Sequence, residues 1–182
     1  MVAHQELTVS IELETERLWL RQWRAADFDR YFEFYQDAES SRYVGGLSSM
    51  EQAWRRLAGI IGHWTLRSFG YWAVEEKATG LLAGCVGLWY SASWPEIELG
   101  YWLMRDMQGR GYAHEASRKS LEFGFGHLNC ASLVSYIHPD NDPSKRVATR
   151  LGGRYEATKE LLDLGPHCIY RYVPTPATNQ SR

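Results

Sequence analysis

Gln108-Gly109-Arg110-Gly111-Tyr112-Ala113 is the stretch that most narrows the choice of fold, because it joins a strand-like run, Glu96 to Met104, to a helix-like run reaching Phe125. Two glycines allow a tight turn and close approach of backbone to a ligand, and a helix start leaves several N–H groups without internal partners. The pattern predicts an anion cradle. A helix dipole contributes about 0.3–1 kcal/mol to a negative group at its first turn, and Arg110 is placed to add a full charge, so a pyrophosphate suits the loop. The spacing excludes two other phosphate sites. His114 stands where a dinucleotide fingerprint needs a third glycine, and no Walker-type Gly-Lys-Ser/Thr run occurs in the chain.

On either side, the periodicity alternates between strand and helix. Leu18, Leu20 and Gln22 alternate with Arg17, Trp19, Arg21 and Trp23 as a first strand. Asp27 opens a helix whose Phe28, Tyr31, Phe32 and Tyr35 form a packed aromatic face. Ser48 and Glu51 read as a capping box for a second helix ending near Arg67. Tyr71–Glu75 and Leu81–Tyr90 form a hairpin around Ala78-Thr79-Gly80, ahead of the strand from Glu96 and the helix from Gly111 to about Gly126. Leu133–Ile137 is the next strand, Asp142-Pro143 caps and starts a helix ending at Gly152, and Arg154–Leu161 and His167–Val173 make a closing antiparallel pair.

Composition sets bounds on partners and compartment. A chain of 182 residues with 45% apolar and 23% charged residues is ordinary for one globular domain. The expected organisation is a flexible segment over 1–12, one domain over 13–173 and a flexible tail over 174–182. A net charge of −2 implies no nucleic-acid or anionic-membrane partner, and no run is apolar enough to span a bilayer. Cys85, Cys130 and Cys168, an odd number without metal spacing, read as buried thiols in a reducing cytoplasm. His114-Glu115 begins a zinc-protease motif, but Arg118 stands where its second histidine belongs, so no metal is expected. The eight tryptophans are mostly core, some being available to an acceptor pocket or a homodimer contact.

Gln108, Gly111 and Ala113 occupy the three defined positions of the Gln/Arg-x-x-Gly-x-Gly/Ala motif of the GNAT N-acetyltransferases, and the segment resembles that family's pyrophosphate loop for acetyl-coenzyme A. Gly100, in mid-strand before it, is where a bulge is expected. His138-Pro139-Asp140-Asn141-Asp142-Pro143-Ser144, with Val147, Leu151 and Gly152, resembles the family's second signature. Thr15 to Arg21 is similar to the first strand of the branch containing the ribosomal-protein N-terminal acetyltransferases. The resemblance runs from about Leu13 to Val173. It implies an α/β (α+β) fold, a mixed, mostly antiparallel central sheet with helices on both faces and two middle strands splayed to admit the pantetheine arm.

The implied chemistry is acyl transfer from acetyl-coenzyme A to an amine, which attacks only when neutral. Deprotonating an α-amine at pH 7 costs about 1.4 kcal/mol and a lysine about 4.6 kcal/mol, so an N-terminal acceptor needs the weaker base. By resemblance Glu98 takes the proton, with Glu96 in reserve. Main-chain groups of Tyr101, Trp102 and Leu103, freed by the bulge, would meet the thioester oxygen. Gln108, Gly109, Arg110, Gly111, Tyr112 and Ala113 would hold the pyrophosphate, and Asn141 and Ser144 would lie beside the pantetheine arm, Ser144 also serving the leaving thiolate. Ala148 replaces the family's usual tyrosine acid and Gly153 its usual aromatic, which leaves the acid open among Ser144, a water and another tyrosine. A protein N-terminus is favoured over a small or amino-acid-like amine. A coenzyme-binding module without catalysis is the other class to be tested.

Overall fold

Alternating apolar residues and well-placed turns build one mixed sheet, seen in a computed structural model that describes residues 11–174. The chain runs β1 (Leu13–Glu14), β2 (Leu18–Arg21), α1 (Phe28–Phe34), α2 (Ala38–Ser41), α3 (Met50–Arg67), β3 (Tyr71–Glu76), β4 (Leu82–Trp89) and β5 (Glu98–Leu103). It continues with α4 (Tyr112–Gly126), β6 (Leu133–Ile137), α5 (Asp142–Arg150), β7 (Arg154–Glu160) and β8 (Pro166–Tyr172). The strands lie in the order β1-β2-β3-β4-β5-β6-β8-β7. Every neighbouring pair is antiparallel except β5 with β6.

Three local expectations need correction. The box that starts α3 is Ser49 with Gln52, one residue later than Ser48 with Glu51, because the Ser49 side chain accepts from the Gln52 N–H and Gln52 returns to Ser49. Asn141, not Asp142, caps α5 through its side-chain oxygen. Gly100 carries no bulge: β4 and β5 stay in register from Gly84 opposite Leu103 to Trp89 opposite Glu98. The β1 strand and α2 were not expected, since a two-residue strand and a four-residue helix have too few residues for a periodic signal. The flexible ends assigned to 1–12 and 174–182 lie almost wholly outside the described residues.

Alternation sorts β5 onto two faces. Trp102 stacks on Phe34 of α1, with ring centroids 4.0 Å apart, so Glu98, Gly100 and Trp102 face α1 and α3. Leu99, Tyr101 and Leu103 face α4 and α5, where the Tyr101 hydroxyl donates to the Ser144 carbonyl at 3.2 Å. Trp23, Trp64, Trp72 and Trp102 are core residues, whereas Trp19 and Trp54 are exposed.

Candidate active site

The ladder between β5 and β6 holds a single register pair, Glu98 opposite Val134. Val134 N–H donates to the Ile97 carbonyl at 3.1 Å, but the next acceptor, Leu99 O, takes the Ser135 hydroxyl at 2.7 Å. A side chain thus replaces a main-chain bond, and beyond it the strands part. Ile97 and Leu99 point their main-chain groups at β6, so alternation turns the Tyr101 and Leu103 N–H groups into the split and the Trp102 N–H back toward β4. Two neighbours fit this: Leu103 O accepts from the Gln108 side chain, and Met104 N–H donates to Ala83 O. Of the three residues expected to meet a thioester oxygen, Tyr101 and Leu103 thus turn their N–H groups into the split without a bulge, and Trp102 turns its N–H toward β4.

A cavity of about 170 Å³ passes through the split, lined on one face by Tyr35, Tyr71 and Glu98 and on the other by Tyr101, Asn141 and Ser144. Glu98 is 9% exposed. Burial pushes its carboxyl up to about 8, offset in part by the Tyr136 main chain and then the Trp94 indole. That indole N–H turns toward the carboxyl yet completes no hydrogen bond. No cation pairs with Glu98 among the described residues. Glu96, the reserve base, is bound to Arg171 at 2.7 and 2.9 Å, a cationic pairing that Glu98 lacks. Tyr43 roofs the cavity: its hydroxyl donates to Asp140 O at 3.0 Å and its ring lies 5.1 Å from that of His138.

On the α4–α5 face, Asn141 Oδ1 accepts from the Ser144 N–H at 3.2 Å, leaving its amide nitrogen for a ligand. Burial pushes the Tyr101 phenol up to about 12, so it stays protonated. The place of the family's tyrosine is filled by the core: Ala148 is fully buried, and a Cβ on Gly153 would stand 2.6 Å from the Tyr172 ring.

At the cradle, Gly109 and Gly111 adopt φ of +75° and +82°, a conformation that favours glycine. The main-chain N–H groups from Gly109 to His114 donate to no protein atom among the described residues. Arg110 is not a free charge, since it pairs with Glu76 at 3.1 Å. Glu76 also accepts from the Thr79 and Tyr112 hydroxyls, which hold its carboxyl below the usual range. Arg17 braces the loop from outside by donating to Arg110 O at 3.0 Å and to Glu115 at 2.7 Å. Glu76 and Arg17 were missed because an acid at a strand end and an arginine in a strand look like surface residues until the fold brings them to the loop.

The chain thus combines a split between β5 and β6, a helix N-terminus with free N–H groups, and a cavity lined from both faces of the sheet. Residues 17–154 match the family model for the acetyltransferase (GNAT) domain; the chain belongs to the GNAT acetyltransferase family and is an acetyltransferase. It is similar to an acetyltransferase from Agrobacterium tumefaciens str. C58, at 34% identity and TM-score 0.83, covering 90% of this chain and 95% of that one. The uncharacterized N-acetyltransferase YoaA of Bacillus subtilis (strain 168) is 28% identical over 79% of this chain and 83% of its own. The fold also matches a ribosomal-protein-S5-alanine acetyltransferase from Vibrio fischeri, at 19% identity and TM-score 0.70 over 90% of this chain and 96% of that one. No helix among the described residues is long and apolar enough to cross a membrane.

Proposed function

We propose that the protein transfers the acetyl group of acetyl-coenzyme A to a primary amine by direct attack, with a protein or peptide N-terminus as the favoured acceptor. The observation that carries this reading is a buried carboxyl without a cationic partner, Glu98, where β5 and β6 begin to part. The free N–H groups from Gly109 to His114 suit the pyrophosphate. Asn141 and Ser144 suit the pantetheine arm, and the Tyr101 and Leu103 N–H groups suit the thioester oxygen. Glu98 faces the opposite side and receives the acceptor's proton as nitrogen bonds to the acyl carbon and the C–S bond breaks. The leaving thiolate takes a hydrogen bond from the Ser144 hydroxyl, or from the Tyr101 hydroxyl once that turns away from the Ser144 carbonyl.

With Glu98 titrating near 8, its basic form is in the minority at pH 7. An α-amine titrates in the same range, so both reacting groups gain their active forms together as pH rises, whereas a lysine would need still higher pH. This match supports an N-terminal acceptor. A thiol-release assay with acetyl-coenzyme A and a pool of tetrapeptides, run beside a pool of small primary amines, tests the reading. Turnover with the peptides is expected. Turnover with small amines alone removes the acceptor preference, and coenzyme binding without any turnover favours a non-catalytic module.

A further inference from the structure

Tyr71 lines the cavity, and its hydroxyl has no hydrogen-bond partner among the described residues, only charged or polar neighbours at a distance. Register sets Tyr71 opposite Gly87 of β4 and, one strand further, Gly100 of β5. The ring therefore crosses residues without side chains, stacked on Trp89 at 5.3 Å and 12°. Its hydroxyl ends 2.3 Å from where a Cβ on Gly100 would stand. The phenol thus takes the place of a β5 side chain, on the same face as Glu98.

Alternate residues on one strand face lie roughly 6.6 Å apart. Two hydrogen bonds laid end to end cover roughly 5.8 Å, about 0.8 Å short of that spacing, a gap within the reach of the flexible Glu98 side chain, so a nitrogen bound between them can meet both groups. The residue is fixed from behind, because the Trp23 and Trp64 indoles both donate to the Tyr71 carbonyl at 3.0 Å. Burial, then Glu98, Cys85 and Tyr35 around it, keep the phenol neutral.

We propose that Tyr71 is a catalytic residue whose hydroxyl oxygen accepts a hydrogen bond from the acceptor nitrogen and holds it between Glu98 and the split. This rests on the acetyl-transfer reading above. In the step it serves, the N–C bond forms as the C–S bond breaks, the nitrogen's proton passes to the Glu98 carboxylate, and Tyr71 keeps its own proton.

Tyr71→Phe retains the ring and its stacking, and Gly100→Ala puts a methyl group where the hydroxyl stands. With the tetrapeptide pool, both variants are expected to lose about 10–50-fold in kcat/KM for the acceptor, the range for one hydrogen bond to a buried polar group. Most of the loss should fall on acceptor KM, with acetyl-coenzyme A affinity by calorimetry unchanged within twofold. A merely structural role would move coenzyme affinity and Tm together. Acceptor kcat/KM within twofold of the parent in Tyr71→Phe overturns the assignment and leaves acetyl transfer standing. A parent that neither binds acetyl-coenzyme A nor turns over overturns both.

Discussion

Glu76 and Glu98 are both buried glutamates of one sheet, 5% and 9% exposed, yet the fold treats them in opposite ways. At the end of β3, Glu76 accepts from Thr79, Tyr112 and Arg110, and its carboxyl is held low. At the start of β5, Glu98 meets no cation and is pushed up to about 8. Burying a charge is costly unless it is paired, so a carboxyl left without a cation becomes neutral instead. The paired residue ties β3 to the cradle loop; the unpaired one is free to change protonation state during a reaction. Burial alone does not distinguish structural from chemical acids. Their partners do.

The widest gap between the two is expected in turnover. Glu98→Gln should lower kcat by at least about 100-fold, the usual contribution of a general base, with acetyl-coenzyme A affinity within twofold of the parent. Glu76→Gln should show the reverse, kcat within about threefold but coenzyme affinity weakened several-fold as Arg110 and Tyr112 lose their anchor. Gly111→Glu tests the cradle itself. It places an acid and a strained φ at the N-terminus of α4, and coenzyme binding by calorimetry should weaken at least tenfold; unchanged binding would remove the pyrophosphate assignment.

The smallest effect separates the two in stability. Because the folded state raises the Glu98 pKa, it binds more protons than the unfolded chain between the ordinary glutamate range and about pH 8, and stability falls as pH rises through that window. Glu98→Gln should therefore melt higher than the parent at pH 8.5 and close to it at pH 4. Glu76, whose pKa is lowered, contributes stability that is present at neutral pH and lost as pH falls through its folded pKa, so Glu76→Gln should melt lower at pH 7.

Much of this contrast was legible in the chain, but not all from the same kind of signal. The strands and long helices follow from periodicity, and the cradle from two glycines ahead of an apolar helix face. Glu98 was reached through resemblance, and its unpaired state depends on which side chains the folded sheet brings near it. Gly100 shows how a local rule fails. A glycine in mid-strand suggests a bulge, but the space belongs to Tyr71, which lies twenty-nine positions earlier and two strands away. Arg110 was read as a free charge because Glu76 reaches it only through the fold.

The most direct test is a carbon-13 NMR titration of glutamate side chains, comparing the parent with Glu98→Gln to assign one resonance. A carboxyl titrating near pH 8 is predicted for Glu98. Titration in the ordinary range near pH 4.3 would contradict the claim that burial without a cation raises the proton affinity of the base at the split.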